Sequence, residues 1–173
     1  MPEVVPVCRL RDGALVRVRH VRPSDEGALR AAFRELSVHS RYQRFLGPVS
    51  ELSDSLWHYL CNPDGGDHVA LVALADDLRV VGVARFIRLS TEPTTAELAV
   101  TIADAWQRRG LGSVLFEQLV DAARRRGIVS FVALALSNNV AIRRLMARQG
   151  HLDFRATGGE RLLFLRLRDR PAA

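Results

Sequence analysis

The amino-acid sequence predicts an α/β (α+β) domain with a mixed, mostly antiparallel sheet of about seven strands flanked by helices. Three observations support this fold class. Strand-like runs joined by short loops fill the middle of the chain, and such neighbours pair antiparallel. A stretch with helical spacing of apolar residues then precedes a nearly continuous apolar run, which is typical of a strand buried on both faces. Finally, two alternating segments separated by two glycines predict a C-terminal hairpin.

Length and composition indicate one globular domain over residues 1–173. Its 48% hydrophobic and 25% charged residues are ordinary for a domain with a full core. No apolar run approaches the roughly 18 residues of a membrane helix, so no membrane partner is expected. The segment Met1–Pro6 lacks the features of a secretory signal, and Cys8 and Cys61 have no metal-ligand spacing. We therefore expect a cytoplasmic protein with reduced thiols and no metal.

Every one of the 25 basic residues is an arginine, and the net charge is +6. One interpretation is the codon bias of a GC-rich genome, and the other is binding to nucleic acid or an acidic partner. The arginines are spread along the chain rather than gathered on one element. This favours the compositional interpretation, so nucleic acid is not an expected partner.

The N-terminal third predicts one strand followed by three helices. Alternating apolar residues indicate the strand. A proline, a capping side chain and acids at 23–26 mark the first helix start. Pro48 ends the second helix, and Ser53 or Asp54 caps the third. The expected elements are a strand over 13–21 and helices over about 23–36, 40–46 and 52–60.

The remaining chain predicts a three-stranded meander, two helix–strand steps and the hairpin. Gly127 and Gly150 are placed to end the two helices. The expected strands are 68–75, 79–89, 95–103, 129–136, 151–156 and 160–168, with helices over 111–126 and 139–149.

The turn at Gln107–Ser113 is the most informative segment of the sequence. It is basic, contains two glycines and connects a strand-like run to an amphipathic helix. Glycines let the backbone approach a ligand closely, while the free N–H groups and dipole of a helix start favour an anion. The segment therefore predicts a site for a diphosphate.

The order of elements around this turn resembles the GNAT N-acetyltransferase superfamily over roughly residues 13–168. The family's acetyl-coenzyme A signature is Gln or Arg, two variable residues, Gly, one variable residue, and Gly or Ala. Gln107, Gly110 and Gly112 match it. Asn139 follows the next strand, and Gly150 comes eleven residues later, as in the family. The variable places hold Arg108, Arg109 and Leu111.

A closer resemblance covers residues 96–115. The runs Ala96–Val100 and Asp104–Gln107 resemble the catalytic domain of bacterial protein lysine acetyltransferases. The resemblance implies a bacterial enzyme with the GNAT fold. It would move an acetyl group from acetyl-coenzyme A to an amine, closest to a protein lysine side chain, by direct attack.

The resemblance also implies where acetyl-coenzyme A binds. The pyrophosphate would lie on the glycine turn, and the pantetheine arm would pair with the strand from 98 to 102 like an added strand. A bulge there would separate this strand from the next, and a backbone N–H near Val100 would polarise the thioester. Asn139 would contact the arm, cap a helix, or do both. The implied residues are Val100, Thr101, Ile102, Gln107, Arg108, Arg109, Gly110, Leu111, Gly112, Ser113 and Asn139.

Glu97 is the candidate general base. A lysine amine has a pKa of about 10.4, so only about one in 10³ is neutral at pH 7 and a proton must be removed. Glu97 is the only carboxylate in its otherwise apolar or small strand. An outward-facing strand residue is the alternative, and the resemblance favours catalysis, directly or through a water. Partial burial would strengthen the carboxylate as a base.

Two positions depart from the family pattern. Many members have a tyrosine seven residues after the asparagine, placed to protonate the thiolate, whereas this chain has Met146. A thioether cannot donate a proton, so Met146 is interpreted as core. His151 stands where the family usually has phenylalanine, and we interpret it as structural. The same holds for His39, His58 and His68, which lack ligand spacing.

The acceptor is the least determined feature. In the family it binds between the first helices and the loop before the last strand, here Tyr42, Arg44, Phe45, Trp57 and Gly158–Gly159. The segment 41–45 could equally be an amphipathic helix packed on the sheet. A small-molecule amine and a non-catalytic acyl-coenzyme A-sensing module are therefore alternatives to a protein lysine acceptor. The sequence is compatible with a homodimer and does not fix the oligomeric state or the acyl chain.

Overall fold

The computed structural model describes residues 7–169 and confirms a mixed, mostly antiparallel sheet flanked by five helices. The sheet has eight strands, in the order β1-β2-β3-β4-β5-β6-β8-β7. The additional strand, β1, has only three residues, too few for a recognisable alternation. The prediction that Met1–Pro6 lack a secretory signal concerns residues outside the described range. The strands are β1 Val7–Arg9, β2 Leu15–His20, β3 His68–Leu74, β4 Val80–Arg88, β5 Thr95–Ile102, β6 Ser130–Leu136, β7 Gly150–Thr157 and β8 Glu160–Leu167. The helices are α1 Glu26–Glu35, α2 Val38–Phe45, α3 Asp54–Cys61, α4 Leu111–Arg124 and α5 Val140–Ala147.

Two hydrophobic clusters cover opposite faces of the sheet. Successive residues of a strand point to opposite faces, and β3 divides accordingly: Leu71 and Ala73 join one cluster, Ala70 and Val72 the other. The first cluster contains the apolar face of α4, and the second contains buried residues of α1 and α3. The sheet is therefore the middle layer of three.

Side-chain caps set the starts of three helices. Ser37, Ser53 and Asn139 each accept a backbone N–H from the first turn of α2, α3 and α5. Ser53, rather than Asp54, is thus the cap of α3. Each cap satisfies one N–H that the helix itself leaves unpaired, which fixes where the helix begins.

The strands β5 and β6 separate after a short parallel contact. Their recorded pairs are Thr95–Ser130, Ala96–Phe131 and Glu97–Val132. Beyond Glu97, β5 stays paired with β4 up to Ile102, and β6 stays paired with β8 up to Leu136. The register of β5 against β4 has no shift, so the bulge expected from the family resemblance is wrong. The opening forms because β6 diverges from β5.

Among residues 7–169, no helix is long and apolar enough to cross a membrane.

Gly150 provides a test of the packing of the C-terminal hairpin. A Cβ at this position would lie 1.9 Å from the backbone oxygen of Arg166, so neighbouring backbone would have to move. We expect Gly150→Ala to lower the free energy of unfolding by about 1–3 kcal/mol in urea titrations. Gly159→Ala is the matched control, because no atom lies within 4 Å of its added Cβ. Equal stability of the two variants would contradict the close approach.

Candidate functional site

The opening between β5 and β6 exposes backbone groups of β5. The Leu89 N–H bonds to the Thr95 oxygen at 2.9 Å, and the Ala103 N–H bonds to the Val81 oxygen at 3.0 Å. Since bonding sides alternate along a strand, odd-numbered residues of β5 bond to β4 and even-numbered residues face β6. Pairing with β6 ends at Glu97. Val100 therefore presents its N–H and C=O to the opening without a strand partner.

The glycine turn leads from this opening into α4. Arg108 and Gly110 both have positive φ, at 61° and 96°, a conformation that glycine adopts without strain. Gly110 is the N-cap of α4, and neither a side-chain cap nor an acid occupies the first turn. The first N–H groups and the positive end of the helix dipole are thus available to an anion.

A large cleft runs along β5, the turn and α5, with an empty volume of about 1090 Å³. Four arginines line it: Arg11, Arg108, Arg144 and Arg148. None of the lining residues is acidic. Arg148 Nη1 also donates to the Ser113 hydroxyl at 3.0 Å, which holds it beside the turn. This charge distribution suits a ligand with several negative charges.

The structure brings most of the predicted cofactor residues together in this cleft. The side chains of three others lie elsewhere. Arg109 pairs with Asp12 and lies 4.2 Å from the Trp106 ring centroid, Leu111 is 1% exposed in the core, and Thr101 faces the opposite side of the sheet. Only their backbones can contribute at the turn and strand. The predicted residues that line the cleft are Val100, Ile102, Gln107, Arg108, Gly110, Gly112, Ser113 and Asn139.

Sequence reasoning missed several lining residues. Arg144 and Arg148 are four positions apart in and just beyond α5, so their shared face was detectable once the helix was predicted. Arg11 carried no such signal, because it reaches the cleft from the loop after β1, which the sequence analysis did not identify.

The helix α2 is hydrogen-bonded to the segment before the turn. Asp104 accepts from the Ser37 backbone at 2.9 Å and from the Ser37 and Ser40 hydroxyls, both at 2.7 Å. Gln107 Nε2 donates to Ser40 Oγ and to the Ile102 oxygen, both at 3.1 Å. Burial acts to raise the pKa of Asp104, but these hydrogen bonds outweigh it and hold the pKa below its ordinary value of 3.8.

A second cavity lies between the helices α1–α3 and the sheet. Its empty volume is about 650 Å³, and its walls are largely apolar, with side chains such as Phe33 and Leu60. Of the predicted acceptor residues, Arg44, Phe45 and Trp57 line it. Tyr42 is instead exposed, and Gly158–Gly159 form the remote turn between β7 and β8. The helix α2 thus both packs on the sheet and lines a cavity.

Two guanidinium groups reach this cavity. Arg85 is 6% exposed, and its Nη1 donates to the Leu60 oxygen at 3.0 Å and to His68 Nε2 at 3.1 Å. Burial and the neighbouring Arg44 lower the pKa of Arg85 to about 10. Burial also lowers the pKa of Arg44, while the charge of Glu97 acts in the opposite direction.

Glu97 lies on the sheet face that carries α1–α3, together with Ala99 and Thr101. It is exposed, so burial does not strengthen it as a base. On this face α1 contacts β4, and α2 contacts β5 and β6, but Leu134, two residues beyond the Glu97 partner Val132, is still 44% exposed. Glu97 therefore stands at the border between the covered and uncovered parts of the face.

The methionine and histidine side chains that were interpreted as structural lie in the core or contact neighbouring side chains. Met146 is completely buried, as predicted for a core residue. His151 is exposed and pairs with Asp153 at 3.1 Å. His68 is buried and stacks on Tyr59 at 4.9 Å, and burial lowers its pKa. Within residues 7–169, no group of three or more His, Cys, Asp or Glu side chains could hold a metal ion.

The chain belongs to the acetyltransferase (GNAT) family, whose model matches residues 30–151. It is 36% identical over 149 residues to Acetyltransferase PA5475 of Pseudomonas aeruginosa, covering 84% of this chain and 80% of the relative. It is 35% identical over 147 residues to Acetyltransferase Pat of Mycolicibacterium smegmatis, covering 84% of this chain. The match spans 44% of Pat, so this chain corresponds to less than half of that relative.

Solved structures agree with this assignment. The GNAT domain of S. lividans PAT superimposes with a TM-score of 0.87 and 30% identity, over 96% of this chain and 99% of that one. The cAMP-binding acyltransferase of Mycobacterium smegmatis gives a TM-score of 0.68 and 29% identity, over 96% of this chain and 48% of that one. YncA of Salmonella typhimurium, solved with acetyl-coenzyme A, shares the fold at 22% identity and a TM-score of 0.67, over 91% of this chain and 96% of that one.

Asp104 allows a test of how α2 is anchored. We expect Asp104→Asn to lower the free energy of unfolding by about 1–2 kcal/mol at neutral pH, because charged hydrogen bonds are lost. A carboxylate with a lowered pKa stabilises the fold above 3.8, and this contribution is lost as the pH falls through the lowered pKa. The difference between wild type and Asp104→Asn should therefore shrink on acidification in urea titrations. A difference that is constant with pH would contradict it.

Proposed function

We propose that the chain is an N-acetyltransferase that binds acetyl-coenzyme A in the basic cleft. The pyrophosphate would accept hydrogen bonds from the backbone N–H groups of the turn at Gly110–Ser113. The arginines that line the cleft would neutralise the phosphate charge. The pantetheine arm would occupy the gap beside β5. One observation carries this proposal. The edge of β5 that has no strand partner runs from Glu97 to the glycine turn, where the cleft has no acidic lining residue.

The chemistry follows from what the cleft presents. The Val100 N–H would donate to the thioester oxygen and stabilise the oxyanion that forms when the amine attacks. Glu97 accepts the amine proton directly or through a water, the C–N bond forms to give this oxyanion, and its collapse restores the carbonyl and breaks the C–S bond. Met146 is buried and cannot protonate the thiolate. Coenzyme A would leave as a thiolate and take its proton from water or the amine nitrogen.

A protein lysine is the acceptor that we propose. Glu97 is exposed, and its sheet face continues through the half-buried side chains of its neighbour Val132 and of Phe164. Leu134 on the same face is 44% exposed. A folded protein could therefore bring a surface lysine to Glu97 without entering a closed tunnel. The resemblance of residues 96–115 to bacterial protein lysine acetyltransferases also supports an acceptor of this class.

Glu97→Gln tests the proposed base. We expect kcat to fall about 10²–10⁴-fold, because the amide cannot accept the proton, while acetyl-coenzyme A binds as in the wild type. Thiol release would measure turnover, and calorimetry would measure binding. Glu117→Gln is the control, since Glu117 is exposed in α4 on the opposite side of the sheet. Unchanged turnover in Glu97→Gln would remove Glu97 from the mechanism.

Isotope-labelled acetyl-coenzyme A tests the acceptor class. The chain contains no lysine, so every labelled acetyl-lysine in a treated cell extract must come from another protein. We expect mass spectrometry to find such peptides with the wild type, in amounts well above those with Glu97→Gln. That variant controls for non-enzymatic acetylation. Labelling by the wild type no greater than in an extract without the chain would contradict a protein acceptor, and cofactor binding without turnover on any amine would identify an acyl-coenzyme A-sensing module.

A further inference from the structure

We propose that the cavity containing Arg44 and Arg85 binds a carboxylate carried close to the acceptor amine. This inference rests on the proposed N-acetyl transfer for the position of the amine. The carboxylate has two chemical sources: a free amino-carboxylate acceptor, or an acidic residue beside the target lysine of a protein.

Arg85 has unused hydrogen-bond donors in the cavity. Within residues 7–169, both hydrogen bonds of its side chain come from Nη1, to the Leu60 oxygen and to His68 Nε2. A guanidinium only donates, so His68 Nε2 must accept, and His68 is neutral with its proton on Nδ1. Neither Nη2 nor Nε of Arg85 donates to another described residue. Three N–H groups of a buried cation, two on Nη2 and one on Nε, are therefore available to a ligand.

Arg44 is a second cation without a close partner. Its guanidinium lies 4.8 Å from the Phe45 ring centroid and forms no hydrogen bond or ion pair with residues 7–169. It interacts electrostatically with Arg85 and with Glu97. Two like charges in an apolar cavity raise the free energy of the folded protein unless an anion joins them.

The charges favour a carboxylate over a phosphate. Arg44 and Arg85 with Glu97 leave one net positive charge, which a single carboxylate neutralises and a phosphate dianion exceeds. A guanidinium also matches the planar carboxylate through parallel hydrogen bonds. The rest of the wall is apolar, with Leu29, Phe33 and Trp57, and so favours a short hydrocarbon segment over a highly hydrated anion.

The cavity is close to the proposed amine position. Glu97 and Ala99 point to the same face of β5, two residues and about 7 Å apart along the strand. Ala99 lines the cavity, and Arg85 is its direct partner on β4. An acceptor amine at Glu97 would thus have its carboxylate within reach of both guanidiniums if a few bonds separate the two groups.

A binding experiment tests the cavity without requiring turnover. N-acetylglycine carries a carboxylate where N-acetylglycinamide carries a carboxamide, and the two are otherwise identical. Calorimetry or NMR titration of the whole chain would measure the affinity for each. We expect the acid to bind about tenfold more tightly or better, because the charged hydrogen bonds are lost in the amide. Equal affinities, or no binding of the acid, would overturn the proposal even if acetyl transfer is established.

Variants test which arginines cause the preference for the acid over the amide. Arg44→Gln should abolish the preference for the acid, and it leaves no described partner unsatisfied. Arg85→Gln should reduce the preference as well, and circular dichroism would confirm its fold. Arg124→Gln is the matched control, since Arg124 ends α4 on the far face and pairs with Asp121. A preference that survives in Arg44→Gln would overturn the assignment.

Transfer assays separate the two sources. Amino acids are compared with their amides, and lysine peptides with a neighbouring glutamate are compared with the same peptides carrying glutamine. A preference for the carboxylate in the first pair identifies a small acceptor, and one in the second pair alone identifies a protein acidic residue. The absence of a preference in both pairs would overturn the proposal while leaving acetyl transfer itself intact.

Discussion

The separation of β5 from β6 after Glu97 is the constraint on which both candidate sites depend. A buried backbone N–H or C=O without a partner costs free energy, so a sheet does not open in its middle without compensation. Here each strand keeps its outer neighbour: β5 remains paired with β4, and β6 with β8. The opening therefore removes only the hydrogen bonds between β5 and β6. The groups that it leaves unpaired, including those of Val100, require water or a ligand that pairs like a strand.

The helix α2 connects the two sites across this opening. Near its start, Ser37 and Ser40 hold Asp104 and Gln107, which precede and begin the glycine turn. Near its end, Arg44 lines the cavity beside Arg85. One short helix thus positions the proposed pyrophosphate site relative to the proposed acceptor site. A change in the packing of α2 would therefore alter both sites together, so the two sites are not structurally independent.

Local sequence patterns predicted the elements and the cofactor cleft better than the acceptor side. The periodicity of α4 and the near-continuous apolar run of β6 are properties of adjacent residues, as is the glycine turn. The three-residue β1 is too short for such a pattern, and the contribution of Arg11 depends on it. The exposure of Glu97 depends on which strands α1–α3 leave uncovered, a tertiary property. Arg85 illustrates the same limit, because a charged residue in a strand is expected to face water, whereas here it is buried and hydrogen-bonded to Leu60 of α3.

The strand β5 gives the two substrates different approaches to one point. Its even-numbered residues direct their backbone groups into the gap, where a thioester would lie in the plane of the sheet. Its odd-numbered residues Glu97, Ala99 and Thr101 direct their side chains to the face, where an acceptor would arrive. A nucleophile must approach a carbonyl carbon from above its plane rather than from its edge. The alternation of a single strand therefore provides the relative orientation that the proposed acyl transfer requires, with Glu97 at an odd position and Val100 at an even position three residues further along.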